Sequence, residues 1–62
     1  MDEPSEVIAV KHEDGGWVWS ITAPDVAEHR MKLLRQSLRA SATYEQARRE
    51  AELALDELRD GR

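Results

Sequence analysis

Pro24-Asp25-Val26-Ala27-Glu28-His29-Arg30-Met31-Lys32-Leu33-Leu34-Arg35-Gln36-Ser37-Leu38-Arg39-Ala40-Ser41-Ala42 is the stretch that decides the fold, because two periodicities fit it equally well. Wound as a helix, it places Ala27, Met31, Leu34 and Leu38 on one stripe and Glu28, Lys32, Arg35 and Arg39 on another, with Pro24 near the first turn. Drawn out as a strand, it sends Leu34, Gln36, Leu38, Ala40 and Ala42 one way and Arg35, Ser37, Arg39 and Ser41 the other. Helix propensity favours the first arrangement, since Met, Lys, Leu, Arg and Gln all suit a helix. The second is favoured by the needs of the rest of the chain, described next.

N-terminal to this stretch lies a hairpin. Val7-Ile8-Ala9-Val10 is apolar and partly β-branched, and Asp14-Gly15-Gly16 supplies residues that tolerate positive φ in a tight turn. The run Trp17-Val18-Trp19-Ser20-Ile21-Thr22 then alternates, with Trp17, Trp19 and Ile21 on one face. On its C-terminal side lies a helix. Thr43 is an N-cap with Gln46 three residues on, and Tyr44, Ala47, Ala51, Ala54, Leu55 and Leu58 make one apolar stripe. Glu45 suits the first turn and is spaced to pair with Arg49, and Asp60-Gly61 offers a stop. The alanines let the helix approach a sheet closely, leaving room for a tryptophan over Ala47, Ala51 and Ala54. A two-stranded hairpin alone is marginal, and a third strand gives the helix a surface to cover. The expected fold is therefore α+β, a three-stranded antiparallel sheet with one C-terminal helix packed on one face (βββα), with ββαα as the alternative. Residues 1–5 read as a disordered tail and 6–60 as a single small domain.

The 62-residue chain is short enough that its core is thin, and without cysteine it has no disulfide to reinforce it. Self-association, as a dimer or with a stable partner, is the expected compensation. Thirteen acids oppose nine bases for a net charge of −4, and the distribution is uneven. Residues 1–28 carry −6, residues 29–49 carry +5 and residues 50–62 carry −3. Arg30, Lys32, Arg35 and Arg39 form the densest basic block, with no acid among them. Such a block suits an anionic partner such as nucleic acid or an acidic protein face, although the acidic flanks carry enough charge to neutralise it on folding. The acidic N-terminus is unlike a signal peptide, no apolar run is long enough to span a bilayer, and the lack of cysteine fits the cytoplasm.

Chemistry finds little support. His12 and His29 lack a second ligand at metal spacing, so neither a metal nor a cofactor is expected. His12 beside Glu13 and Asp14 sits at a hairpin turn, where a water-excluding pocket for acid–base work is not expected. The serines have no nucleophile-elbow context, and Gly15-Gly16 reads as a turn rather than a phosphate loop. The expectation is a non-enzyme. Of the two tryptophans, Trp19 is expected under the helix, and Trp17, next to the turn, is the candidate interface anchor.

The run His12-Glu13-Asp14-Gly15-Gly16-Trp17-Val18-Trp19-Ser20, followed by Ala23-Pro24-Asp25-Val26, resembles the first hairpin of HicB-like antitoxin domains. Ala40-Ser41-Ala42-Thr43-Tyr44-Glu45-Gln46-Ala47 resembles their second signature, a third strand ending in a threonine that caps an Ala- and Glu-rich helix. The resemblance implies a βββα sheet related to a truncated RNase H-like fold. It also implies neutralisation of a HicA-type mRNA interferase by direct protein contact. This chain departs from the pattern in three ways. About eight extra residues precede Thr43, Ser41-Ala42 replaces a common glycine, and nothing after Arg62 provides a DNA-binding domain. The expected function is thus a non-catalytic protein–protein interaction module that dimerises or blocks a protein partner, with Trp17, Arg30, Arg35 and Arg39 as candidate partner-binding residues. The alternatives are a small nucleic-acid-binding regulator using residues 30–39, and an orphan or phage-encoded domain with an undisclosed host target.

Overall fold

The computed structural model describes residues 6–60, so the expected tail at 1–5 and the Gly61 stop lie outside the described residues. Four elements follow in chain order: β1 (Val7–Glu13), β2 (Gly16–Asp25), β3 (Arg30–Gln36) and α1 (Tyr44–Asp60). The strands form one antiparallel sheet in the order β1-β2-β3, and α1 packs across one face. The fold is βββα, and the ββαα alternative is not adopted.

Asp14 and Gly15 close the first hairpin with φ of 49° and 82°, the left-handed pair that a two-residue hairpin turn with right-handed strand twist requires. The register runs from Val7 opposite Thr22 to Glu13 opposite Gly16. Ile8, Val10 and His12 thereby oppose Ile21, Trp19 and Trp17 on the helix side. The second connection, residues 26–29, turns around Asp25. Its carbonyl accepts from the His29 amide at 2.8 Å and its carboxylate from the Glu28 amide at 3.2 Å, while His29 takes φ 59°.

The middle stretch is a strand, contrary to its helical propensity, but a shorter and earlier one than the alternation over 34–42 suggests. It begins directly after the turn, at Arg30, and ends at Gln36, seven residues before Thr43. A bulge opposite Ile21/Thr22 breaks the expected alternation: Arg35 pairs with Ile21 and Leu33 with Thr22, leaving Leu34 between them. Beyond Gln36 the chain leaves the ladder, donating from Ser37 to the Trp19 carbonyl at 2.9 Å. It returns at Ser41, which exchanges two backbone bonds with Trp17 at 2.8 and 2.9 Å. Only that one residue of the expected strand end Ala40-Ser41-Ala42 pairs with the sheet. Tertiary pairing decides here: β2 has ten residues, and its last three, 23–25, run past β1 and have no strand partner unless β3 supplies one.

The core is small. Trp19, Ile21, Ala47, Ala51 and Ala54 are buried, and Ile8, Val10, Trp17, Leu55 and Leu58 pack around them. The alanine stripe carries the helix close to the sheet, with Trp19 and Ile21 filling the gap, as the spacing predicts. Thr43 caps α1, its hydroxyl accepting from the Gln46 amide at 3.1 Å. An ion pair one turn apart joins Arg48 to Glu52 at 3.1 Å, rather than Glu45 to Arg49. That carboxylate, with the Tyr44 hydroxyl behind it, stabilises the charged form of Arg48 and raises its pKa. Replacing Thr43 by Ala leaves the Gln46 amide without its acceptor and is expected to cost about 0.5–2 kcal/mol. Thermal unfolding followed by circular dichroism at 222 nm measures it; an unchanged midpoint would show that the cap contributes nothing.

Candidate functional site

The helix covers β1 and β2 and leaves β3 almost uncovered. All seven β3 residues are exposed, and on its outer side the strand has no neighbour among the described residues. This asymmetry creates two surfaces.

The first is the sheet face opposite the helix. Strand parity and the sheet register bring Val7, Thr22 and Leu33 into one cross-strand row, with Ala9 and Ser20 in the next and Val18 beside them. Val7 and Leu33 are about half exposed, at 49% and 52%. The charges Lys11 and Glu13 on this face neutralise each other across 3.0 Å. A shallow depression of about 440 Å³ lies over Ala9, Val18, Ser20 and Leu33.

The second is a cleft of about 560 Å³ on the helix side, between the end of β3 with residues 37–39 and the middle of α1. Trp19 and Ala54 line its inner part, Leu38 and Leu53 its apolar rim, and Arg35, Arg39, Glu50 and Glu57 its charged margin. Leu38 is 99% exposed and Leu53 58%. Arg35 bonds Glu57 at 3.0 Å with both side chains well exposed, so the pair is worth no more than about 1 kcal/mol and opens readily. The Trp19 indole N–H is buried without a partner among the described residues. A buried donor left unpaired costs about 1–3 kcal/mol.

The four candidate partner-binding residues do not form one site. Arg35 and Arg39 meet in the cleft. Arg30 begins β3 opposite Asp25, five residues or about 17 Å along the strand from Arg35. Trp17 lies elsewhere, half-buried between His12 and Tyr44 with both rings edge-on at 4.9 and 5.5 Å. It keeps part of its surface accessible there, but it stands apart from the cleft that holds Arg35 and Arg39. Sequence reasoning missed Leu33, Leu38 and Leu53, three leucines counted towards a stripe or passed over that the fold leaves at the surface. The uninterrupted basic block was a usable signal for Arg35 and Arg39, but nothing in the sequence announced Glu57 as a partner from 22 residues away.

No group of three or more His, Asp or Glu side chains that could hold a metal ion occurs among the described residues. No described helix is long and apolar enough to cross a membrane. In comparisons with known proteins, no family model, curated protein or solved structure matches the chain.

Proposed function

We propose that this chain is a non-catalytic protein–protein interaction module that self-associates through the open face of its sheet. In the manner of the HicB-like antitoxin domains it resembles, it works in the cytoplasm by occupying the surface of a protein partner, a HicA-type mRNA interferase by analogy of fold. The observation that carries the reading is the row Val7–Thr22–Leu33, two half-exposed aliphatic side chains flanking a threonine, on a sheet face that no element covers among the described residues. A second copy related by a two-fold axis meets no like-charge repulsion there, because Lys11 and Glu13 already compensate each other. Such pairing supplies the apolar burial that five buried core side chains leave short.

Sedimentation equilibrium from micromolar to millimolar protein tests the self-association. A mass of two chains is expected at the upper concentrations, and Leu33→Asp is expected to return the monomer mass while the far-ultraviolet spectrum stays unchanged. A monomer throughout the range would overturn the self-association.

A further inference from the structure

We infer that the outer edge of β3, together with the cleft beside it, is the partner-binding element of the module, and that it takes an extended acidic segment of a protein as a fourth strand. The inference rests on the interaction-module reading above and names the chemistry of the partner. Three observations carry it. First, among the described residues β3 is bonded on one side only, so its outer backbone groups can pair with an incoming strand. Second, the charged residues of the strand are all basic, interspersed with the apolar Met31, Leu33 and Leu34, and Arg35 is held by Glu57 in an exposed pair that opens readily. Arg30, Lys32 and Arg35 lie along seven residues with no acid, and Arg39 continues the series into the cleft. That pattern disfavours β3 pairing with the β3 of a second copy, which would set three cations against three. It suits a strand carrying Asp or Glu at alternate positions. Third, the cleft beyond the strand end gives such a segment a place for a large apolar side chain, against Leu38, Leu53 and Ala54.

Nucleic acid is the less suitable occupant. Glu50 and Glu57 stand on the same cleft, Trp19 is buried rather than available for stacking, and a nucleic acid makes no use of an unpaired strand edge. The net charge of −4 does not oppose an acidic segment locally. At physiological ionic strength charges are screened beyond about 8 Å, so the bases of β3 dominate at the edge.

The experiment uses the full chain and a fluorescein-labelled nine-residue peptide alternating Glu with Leu. Fluorescence anisotropy should report binding that weakens several-fold between low and high salt. Amide chemical shifts should move at Arg30–Gln36 and at Leu38 and Arg39, with slowed exchange of β3 amides. The double variant Lys32→Glu/Arg39→Glu, at two exposed positions, should bind about tenfold more weakly with its spectrum unchanged. The neutral variant Lys32→Gln/Arg39→Gln should fall between. Equal binding by the peptide with Lys in place of Glu would overturn the inference. So would shifts confined to Val7, Ala9 and Val18, tighter binding of a twenty-residue oligothymidine, or no binding at all. If the peptide fails while the two-chain mass persists, the acidic-strand inference falls and the interaction-module reading stands.

Discussion

Replacing Ile21 by Ala is expected to leave a chain without a cooperative unfolding transition at room temperature. Ile21 is the only large side chain among the described residues with no accessible surface, and it sits between Ile8 of β1 and the alanine stripe of α1. Removing three of its carbons both forfeits their burial and leaves a cavity, which for Ile→Ala costs about 2–5 kcal/mol. Collapse cannot relieve it, because Ala47, Ala51 and Ala54 have no further reach and the helix is already seated on the sheet. A 62-residue domain has about 3–9 kcal/mol in all, so the loss consumes most of the total. Ile21→Val, which removes one methylene, is expected to cost only about 0.5–1.5 kcal/mol and to keep the transition. Urea titration followed by tryptophan fluorescence at one fixed protein concentration measures both. A loss below about 1 kcal/mol for the alanine variant would show that the core does not hinge on this residue.

Gly16→Ala is expected to destabilise by about 1–3 kcal/mol, although the substitution adds a single methyl group to a strand. Gly16 is buried at the start of β2, and a Cβ there would stand 2.4 Å from the Cβ of Ala40 and 3.4 Å from the Ser41 carbonyl oxygen. Something must move, and the neighbour is the backbone segment that delivers Ser41 to Trp17. The loss should therefore appear as exposure of the Trp17 and Ser41 amides as well as a lower midpoint. Ala40→Gly removes the facing methyl and is expected to restore most of the stability in the double variant, a coupling within the usual 0.5–3 kcal/mol range for touching residues. Gly15→Ala is the control. Gly15 has open space around it but φ of +82°, so its variant suffers from conformational strain that Ala40→Gly cannot relieve. If Gly16→Ala proves neutral, residues 40–41 are not held against β2 as described.

The two glycines illustrate what the sequence disclosed and what it did not. Asp14-Gly15-Gly16 announces a turn, and the turn is there. That only Gly15 serves the turn, while Gly16 makes room for a segment 24 residues later, depends on a contact no local pattern encodes. The same holds elsewhere. The alternation of Trp17, Trp19 and Ile21 and the stripe of Ala47, Ala51 and Ala54 are local patterns, and they assembled the core correctly. The strand at Arg30–Gln36 is built from helix-favouring residues, and what extends it is the need of the end of β2, residues 23–25, for a partner. A bulge then shifted the facing, so the listing of Leu34, Gln36 and Leu38 as one face was wrong at the strand's centre. Of the candidate residues, Arg35 and Arg39, which a charge pattern singles out, line one cleft. Trp17 is partly exposed, as its place beside the turn suggests, but its neighbour Tyr44 lies 27 residues away and no local pattern encodes that contact.

The order of the strands in space is their order in the chain, joined by connections of two and four residues, with seven more leading into the helix. For the folding chain this means that both strand–strand ladders grow out from short connections, and only the bridge of Ser41 to Trp17 waits for a more distant segment. The first hairpin can form on its own and offer the second half of β2 as a template for β3. The step that spans the chain comes last, when the helix settles on β1 and brings Arg59 within 3.3 Å of Glu6. Local closure of both hairpins favours their early formation, and β3, which the helix leaves almost uncovered, has the least tertiary packing to hold it in the sheet.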